Sequence, residues 1–325
     1  MRRRIAIFCG GPSSEHEVSL SSAQAILKHI DHSQFEPYIF YIQKNLSSAF
    51  YKPSDGIIPP KNILFQDFEI TLQNNKDNFD MALLSALHGE FGEDGTIQKK
   101  LSDSHIRFTG SNAKSSALCM NKMRTIKYLQ DTDDLSFPQT KLISITDPIH
   151  FPFPFIVKPN SLGSSVLVSI VYSQEEYKTV LKKFKEARID EILIQELITG
   201  IELSCGCLEK KDNTFIKLPP IEIHPNADFF DYSAKYKING SKEITPPVSI
   251  SHDESEKISN LAKEIHKKLR CKTYSRSDFI YTKKKIYFLE TNTLPGFTNT
   301  SLFPQEVNAI DISFQELISF IIEQS

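Results

Sequence analysis

The stretch YSRSDFIYTKKKIYFLETNTLPG, residues 274–296, contains two strand-like runs separated by three lysines. Side chains alternate along a strand, so a hairpin with the three lysines as its loop has a defined register. In that register Asp278 lies opposite Glu290, and Arg276 lies opposite Asn292. All four polar side chains then project from one face of the hairpin.

Two carboxylates that lie directly opposite each other repel unless a cation lies between them. Mg²⁺ prefers oxygen ligands, and phosphate oxygens can complete its coordination shell. The pattern therefore favours a metal–phosphate site formed by Asp278, Glu290 and Asn292, with Arg276 beside it to stabilise charge on a reacting group. A structural salt bridge between Arg276 and the acids is the alternative interpretation.

The predicted register also assigns apolar residues to this face. Thr282 is expected opposite Ile286, and the face is expected to carry Ile280, Ile286 and Phe288 nearer the turn. The acids would then lie at the end of an apolar face, which is not the pattern of an ordinary solvated surface.

Composition excludes several classes of protein. The chain has 325 residues, enough for two or three domains, with 40% hydrophobic and 24% charged residues. A formal net charge of -2 gives no basis for predicting nucleic acid or an anionic membrane as a partner. No apolar run reaches 18 residues, and we expect no signal peptide because the run after Arg4 is short. The five cysteines are odd in number and scattered, which is typical of reduced thiols, so we expect a cytoplasmic protein.

Strand and helix patterns alternate along the chain, which predicts an α/β fold that begins with a parallel sheet. The first unit has strands at 4–9, 38–42 and 80–87, a helix that ends near His29, and an irregular segment at 44–79. One helix is predicted over 116–131. Later elements are predicted as strands at 153–158, 165–171, 191–198, 202–208, 214–218, 274–282 and 285–291, and as helices at 174–187, 253–269 and 312–323.

Several other stretches are weaker candidates when taken alone. Glu15 lies at a helix start, where an acid also simply favours the helix dipole. His88 follows a strand in LHGEFGEDG, where a structural histidine is the alternative. Lys122 and Lys158 could bind phosphate or be surface lysines. The stretch VKPNSLGSSV, residues 157–166, lacks the P-loop pattern and is predicted to cover a phosphate as a loop between antiparallel strands.

Seven stretches taken together, in chain order, resemble the D-alanine–D-alanine ligases of the ATP-grasp superfamily. They run from Gly10 to Pro304 and comprise GGPSSEHEVSLSS, HGEFGEDGTIQ, TGSNAKSSALCMNK, VKPNSLGSSV, FFDYSAKY, SRSDF and LETNTLPGFTNTSL. Each stretch is weakly specific, whereas the ordered set is highly specific for this family.

The resemblance implies a three-domain ATP-grasp fold with an N-terminal parallel-sheet domain. The expected domains are an N-terminal substrate-binding domain at 1–110, a central ATP-grasp subdomain at 111–205, and a C-terminal catalytic domain at 206–325 with a lid loop at 231–245. The implied reaction is ATP-dependent ligation of two D-alanines through an acyl phosphate, which supplies a peptidoglycan precursor. Two Mg²⁺ ions, with Mn²⁺ as a substitute, and a homodimer are also implied.

The resemblance assigns roles residue by residue. The residues that match catalytic groups are Glu15, Ser164, Tyr236, Arg276 and Gly296. Those that match binders of the two amino-acid substrates are His88, Lys235, Ser301 and Leu302. Those that match nucleotide contacts are Lys122, Lys158, Gly163, Ser165, Gln195, Glu196, Leu197, Ile198 and Glu202. Those that match metal ligands are Asp278, Glu290 and Asn292.

The sequence departs from the family pattern at three positions. Leu162 stands where a glutamate is common, Leu167 where a small residue is common, and Gln195 where an acid is frequent. A related ligase that joins D-alanine to D-lactate or D-serine, or that joins another amino-acid pair, is one alternative, although Tyr236 in the lid favours D-alanine. A nucleotide-binding module without turnover is another, although the intact set around Arg276 argues against it.

Overall fold

The structure is a computed structural model that describes residues 2–54, 56–163, 166–225 and 241–325. Four residues with predicted roles, Ser164, Ser165, Lys235 and Tyr236, lie outside the described residues, as does the 231–240 part of the predicted lid. None of the helices in the described ranges is long and apolar enough to cross a membrane.

The first sheet has five strands and is parallel at its centre. Its elements, with the helices that accompany them, are β1 (Arg3–Gly10), α1 (His16–His29), β2 (Phe35–Ile42), β3 (Ser47–Tyr51), β4 (Gln66–Asp67), α2 (Phe68–Asn75), β5 (Met81–Leu83) and α3 (Thr96–Asp103). The strand order is β4-β3-β2-β1-β5, with β1 parallel to both β2 and β5. The segment predicted to be irregular, 44–79, instead supplies the antiparallel strands β3 and β4 at one side of the sheet and the helix α2.

The helix predicted over 116–131 is two helices, α4 (Ala113–Met120) and α5 (Lys122–Leu129). Asn121 separates them with an extended backbone, and its side chain accepts a hydrogen bond from the backbone N–H of Arg124. Asparagine is favoured at such a cap because it satisfies a donor at the helix start that has no partner within the helix. As a result, Lys122 is the first residue of a new helix.

The second sheet has four antiparallel strands in the order β7-β10-β8-β9. Its elements are β7 (Thr140–Ser144), β8 (Phe155–Pro159), β9 (Ser169–Val171), α6 (Gln174–Glu186) and β10 (Glu191–Glu196). Helix α6 packs its apolar residues Tyr177, Val180 and Phe184 on this sheet, where they join the core around Phe155. The stretch 157–166 begins within β8 and leads towards β9, which pairs with β8 in the antiparallel sense, as the sequence predicts.

The third sheet has seven strands, in the order β14-β13-β11-β15-β16-β6 with β12 paired to β11. The strands are β6 (Leu135–Ser136), β11 (Ile201–Glu209), β12 (Phe215–Lys217), β13 (Ile221–Pro225), β14 (Ser241–Ile244), β15 (Tyr274–Tyr281) and β16 (Ile286–Asn292). The helices that follow or cover it are α7 (His252–Lys268), α8 (Leu302–Asn308) and α9 (Phe314–Gln324). Helices α7 and α9 each begin with a capping box, which sets where they start.

The β15–β16 hairpin confirms part of the predicted register and corrects the rest. Thr282 and Lys285 exchange both backbone hydrogen bonds, so the loop has two residues where three were predicted. The register then shifts by one between Asp278 and Phe279, because Leu289 in β16 is an extra residue. Beyond this bulge the predicted pairs are confirmed: Asp278 lies opposite Glu290, and Arg276 lies opposite Asn292.

Between the bulge and the turn the predicted pairing is wrong. Ile286 lies opposite Tyr281, where Thr282 was expected. Ile286 and Phe288 are buried with Phe279 in the core under α7, so they do not share the face that carries the acids. A β-bulge changes which face the following residues use, and the alternation of residues along the sequence does not reveal it.

The largest core joins the two ends of the chain. Leu317, Ile318, Ile321 and Ile322 of α9 are fully buried together with residues of β1 and β5. The Arg3 side chain also donates a hydrogen bond to the carbonyl oxygen of Ile322 at 3.4 Å. The final helix is therefore part of the core of the first sheet.

A buried histidine is paired with an acid behind the third sheet. His266 of α7 is fully buried, with Nδ1 2.7 Å from Ser275 Oγ and Nε2 3.4 Å from Glu209 Oε2. Burial acts to lower the pKa of His266, but the interactions with Cys207 and Glu209 outweigh it and raise the pKa to about 10. Burial acts to raise the pKa of Glu209, but His266 and Lys272 lower it to about 2.

We expect this pair to make stability depend on pH. Because the pKa of His266 is raised, protonated His266 contributes its full share to the free energy of unfolding below about pH 6.5. That contribution is lost as the pH rises to about 10. Glu209→Gln should lower the free energy of unfolding by about 3 kcal/mol at pH 7, because it removes one partner of a buried ion pair. It should also flatten the decline above pH 6.5, as measured by urea unfolding.

The exposed pair Lys99–Asp103 offers a matched control, with side chains that are 70% and 63% exposed. Asp103→Asn should change the free energy of unfolding by less than about 0.5 kcal/mol, as is usual for an exposed pair on one helix. Equal effects of the two substitutions would contradict a structural role for the His266–Glu209 pair.

Candidate active site

Asp278 is the centre of a buried group of polar side chains on β11, β15 and β16. Its Oδ1 accepts hydrogen bonds from Ser204 Oγ at 2.7 Å and from Arg276 Nε at 3.0 Å. Its Oδ2 accepts from Arg276 Nη2 at 3.0 Å and from Asn292 Nδ2 at 3.2 Å. Burial acts to lower the pKa of Arg276, but Asp278 outweighs it and raises that pKa above its ordinary value.

Glu290 lies opposite Asp278 and is paired with Lys122. Lys122 Nζ lies 3.1 Å from Glu290 Oε2 and donates a hydrogen bond to the carbonyl oxygen of Leu162 at 2.6 Å. The backbone N–H of Lys122 donates to the carbonyl oxygen of Asn160. The break before α5 therefore brings a buried lysine to the meeting point of the acid pair and the 157–166 stretch.

The donor set of this group fits a magnesium–phosphate site. Asp278, Glu290 and Asn292 offer carboxylate and amide oxygens, which are the ligands that Mg²⁺ prefers. Within the described ranges, no group of three or more His, Cys, Asp or Glu side chains is placed to hold a metal by itself. Two carboxylates and one amide leave coordination positions for phosphate oxygens or water, which is how Mg²⁺ is usually bound with nucleotides.

Glu15 marks a second polar group, at the start of α1. It is buried, and Gly163 and Gly89 both lie against its carboxylate. A Cβ atom added at Gly163 would lie 3.1 Å from Glu15 Oε2, and one at Gly89 would lie 2.8 Å from it. The glycine of the 157–166 stretch therefore approaches Glu15 closely because it has no side chain.

His88 is buried beside this second group, and both of its ring nitrogens have partners. Nδ1 lies 3.1 Å from the carbonyl oxygen of Leu294, and Nε2 lies 2.9 Å from Ser22 Oγ. Because a carbonyl oxygen can only accept, Nδ1 donates and, in the neutral ring, Nε2 accepts from the serine hydroxyl. Burial lowers the pKa of His88, which favours this neutral form. His88 thus joins the first sheet to the loop after β16.

Glu93 is a residue of this group that the sequence analysis missed. Its Oε1 accepts from the backbone N–H of Gly89 at 3.0 Å, and its Oε2 accepts from that of Leu294 at 3.1 Å. Burial, together with the nearby charge of Glu15, raises the pKa of Glu93 to about 8. Its presence in the quoted motif HGEFGEDG was the available signal.

The loop after β16 and the start of α8 carry Gly296, Ser301 and Leu302. Ser301 immediately precedes α8. Its hydroxyl accepts a hydrogen bond from the backbone N–H of Thr298 at 3.1 Å. A Cβ atom at Gly296 would lie 2.9 Å from Ser301 Oγ, so Gly296 and Ser301 are adjacent. Leu302 packs on Ile223 of β13.

Four of the nine predicted nucleotide residues, Lys158, Gln195, Glu196 and Glu202, lie on β8, β10 and β11. Lys158 of β8 is buried and lies opposite Leu193 of β10. Glu202 of β11 lies opposite Ile223 of β13. Gln195 is buried and donates from Nε2 to Thr140 Oγ1 at 2.9 Å, so its amide is held by the neighbouring strand. Glu196 ends β10 and is exposed, and the half-buried Leu197 and Ile198 follow it.

Two protein-family models match the chain. The model described as "D-ala D-ala ligase N-terminus" matches residues 4–111, and the model described as "D-ala D-ala ligase C-terminus" matches residues 127–323. A curated relative from Leptospira interrogans, named D-alanine--D-alanine ligase, is 36% identical over 356 residues, covering 98% of this chain and 97% of its own.

Solved structures are similar over the same length. A D-alanine--D-alanine ligase from Bacillus anthracis complexed with ATP has a TM-score of 0.77 and 30% identity, covering 99% of this chain and 97% of its own. The VanG D-Ala:D-Ser ligase from Enterococcus faecalis has a TM-score of 0.79 and 28% identity, covering 99% of both chains.

The position of Glu93 leads to a prediction. Glu93→Ala should leave the backbone N–H groups of Gly89 and Leu294 without their acceptor, at a cost of about 1–3 kcal/mol for each group that stays buried. Thermal unfolding should therefore begin at a lower temperature, and ATP turnover should fall because the loop after β16 loses its support.

Glu90 provides the control, because it lies in the same motif and is exposed. Glu90→Ala should leave both measurements close to those of the unmodified protein. An unchanged melting temperature for Glu93→Ala would show that the two loops do not depend on this carboxylate.

Proposed function

Since the chain belongs to the D-alanine–D-alanine ligase family, we propose that it uses ATP to join two D-alanines into a dipeptide precursor of peptidoglycan. The observation that carries the proposal is the group formed by Asp278, Glu290, Asn292, Arg276 and Lys122. These side chains come from two parts of the chain and place two acids and two cations at one face of the third sheet.

The reaction has two chemical steps. A carboxylate oxygen of the first D-alanine attacks the γ-phosphorus of ATP, which forms an acyl phosphate and releases ADP. The amine of the second D-alanine then attacks the acyl carbon, expels phosphate and loses a proton. The first step brings two anions together, and the second develops negative charge on the acyl oxygen, so both need fixed positive charge. The site must also exclude the water that would hydrolyse the acyl phosphate.

We propose that the ATP phosphates bind beside the acid pair Asp278–Glu290, near the positively charged side chains of Arg276 and Lys122. Asp278, Glu290 and Asn292 would hold two Mg²⁺ ions, or Mn²⁺ ions in their place. Bound there, the two ions would neutralise the ATP phosphates enough for a carboxylate to approach. Arg276 provides a further positive charge beside the transferred group, as does Lys122, which is already oriented by Leu162 and Glu290.

We assign the ATP molecule to the space between the second and third sheets. Lys122 and Lys158 would contact its phosphates, and Gly163 and Ser165 would approach them through the backbone. The adenine would lie along the end of β10 at Gln195, Glu196, Leu197 and Ile198, with Glu202 at the ribose. The hydrogen bond from Gln195 to Thr140 supports this assignment, because it holds the end of β10 in place.

We assign the first D-alanine to the group around Glu15. Glu15 is buried and Glu93 is half-buried, and the charge of Glu15 disfavours a second charge on Glu93. A substrate ammonium beside Glu15 would relieve that repulsion. His88 lies at the same end of the site, where its ring nitrogens contact the Ser22 hydroxyl and the carbonyl oxygen of Leu294.

The remaining predicted roles stay proposals. Ser164 and Tyr236 would orient Glu15, and the backbone of Gly296 would stabilise the tetrahedral intermediate. The carboxylate of the second D-alanine would be held by Ser301 and by Lys235, with Leu302 beside them. The support is the adjacency of Gly296 and Ser301, which brings the intermediate and the second substrate to one loop.

We also propose the division into domains 1–110, 111–205 and 206–325, since each range contains most of one sheet. The lid at 231–245, a homodimer and a cytoplasmic location belong to the same proposal. The five free and buried cysteines support the location, because such thiols are typical of a reducing compartment.

The metal assignment predicts that Glu290→Gln abolishes ligation while the fold survives. The amide has the same shape but lacks the negative charge that both ions would share, so ADP release should fall at least about 100-fold. Circular dichroism should be unchanged. Glu256→Gln, which alters an exposed ion pair, should retain full activity. Near-normal turnover of Glu290→Gln at low millimolar Mg²⁺ would refute the assignment.

The choice of the second substrate provides a test of the function itself. The similarity to a D-Ala:D-Ser ligase keeps D-serine as a second candidate. In a coupled ADP-release assay with D-alanine present, we expect D-alanine alone to support turnover, with D-serine or D-lactate adding less than a tenth of that rate. Products should be identified by mass spectrometry. D-Alanyl-D-serine or D-alanyl-D-lactate as the main product would reject the D-alanine assignment.

A further inference from the structure

Glu306 of α8 is a fully buried acid that has one oxygen without a partner. Its Oε2 accepts a hydrogen bond from the backbone N–H of Gly206 at 2.5 Å. Its Oε1 has no hydrogen-bond partner in the described part of the chain. A buried carboxylate oxygen without a donor is costly, so its presence calls for a physical reason.

The position of Glu306 places it beside Arg276. Gly206 of β11 lies directly opposite Arg276 of β15, and side chains of directly opposite residues project from the same face. A Cβ atom at Gly206 would lie 2.6 Å from Glu306 Oε2 and 2.6 Å from the Phe303 ring. The missing side chain of Gly206 therefore makes room for an acid on the face that carries Arg276 and Asp278.

The charges of Glu306 and Arg276 act on each other. Burial raises the pKa of Glu306 well above its ordinary value, and Arg276 is the strongest influence in the opposite direction, so contact with the guanidinium favours the charged form of Glu306. Glu306 in turn helps to raise the pKa of Arg276. The arginine thus lies between two acids, one bonded to it and one nearby.

The hydrogen bonds of Asp278 show why a second acid is useful. A carboxylate has about four lone-pair sites, and Asp278 already receives four hydrogen bonds from Ser204, Arg276 and Asn292. An oxygen of Asp278 can bind a cation only if one of these donors withdraws. Arg276 is the donor that a nearby cation repels most strongly, because it is itself charged.

We propose that Glu306 is a positioning residue that receives the Arg276 guanidinium when Asp278 binds a metal ion. The proposal rests on the assignment of Asp278 as a metal ligand. Glu306 Oε1 then gains a donor, and Arg276 stays at the site with its charge directed at the phosphate. Without Glu306, Arg276 keeps its hydrogen bonds to Asp278 and competes with the metal.

The test measures metal binding directly. Mn²⁺ is titrated into the full-length protein with saturating ADP, and free Mn²⁺ is followed by electron paramagnetic resonance. We expect Glu306→Gln to weaken Mn²⁺ binding about tenfold. Gln305→Ala, on the adjacent position of α8, serves as the control and should bind Mn²⁺ normally. Equal binding by Glu306→Gln and the unmodified protein would overturn the proposal.

A double-mutant cycle separates a role through Arg276 from a simple effect of negative charge. In an Arg276→Met background the Glu306→Gln substitution should no longer change Mn²⁺ affinity, because there is no guanidinium to hold. A tenfold loss that persists in that background would mean that Glu306 acts on the metal through its charge alone, and the proposal would be wrong.

Steady-state kinetics distinguish a positioning role from a merely structural one, because a structural role would not lower kcat while leaving KM unchanged. Glu306→Gln should lower kcat at least fivefold, with KM for D-alanine changed less than twofold and no loss of melting temperature. Glu306→Asp retains the carboxylate and should recover part of kcat. This variant also keeps the proposal testable if Glu306→Gln fails to fold. Parallel changes in kcat and KM, or no recovery with aspartate, would overturn the proposal. Failure of the unmodified protein to bind Mn²⁺ with ADP would instead refute the metal assignment itself.

Discussion

A single extra residue in β16, Leu289, determines which side chains face each other at the candidate site. The two-residue turn sets a register in which Phe279 lies opposite Phe288. If that register continued, Glu290 would lie opposite Ser277 and would project to the face where Phe279 and Phe288 are buried. A carboxylate in that core would be costly. The bulge moves Glu290 to the other face, where Asp278, Arg276 and Lys122 can meet it.

The bulge also explains why the site was easier to predict than the hairpin that carries it. A three-residue loop and a two-residue loop followed by a one-residue bulge give the same pairing beyond the bulge. The predicted pairs Asp278–Glu290 and Arg276–Asn292 were therefore correct, whereas Ile286 and Phe288 were assigned to the wrong face. Alternation of residue types identifies a strand, but the place where two strands lose register depends on packing from other elements.

Contacts between distant parts of the chain set the limit of what the sequence could predict. Glu93 supports Leu294 from 201 residues away, and Glu306 reaches Gly206 across 100 residues. Neither contact leaves a local pattern. The break at Asn121 was missed for a related reason, since the apolar spacing of 116–131 continues through it. The structural reason for the break is the hydrogen bond from the backbone N–H of Lys122 to the carbonyl oxygen of Asn160, which lies far away in the sequence. The order of the quoted motifs, by contrast, was sufficient to predict the family and the fold.

The burial of α9 in the core of the first sheet has a consequence for synthesis on the ribosome. The strands β1, β2 and β5 are complete by Leu83, but the helix that covers part of their core starts only at Phe314. At a translation rate of about 5–20 residues per second, the intervening chain takes on the order of 10–50 s to make. During that time the apolar surface that Leu317, Ile318, Ile321 and Ile322 later cover is open to solvent or to chaperones. The nascent chain thus spends most of its synthesis with an incomplete N-terminal core.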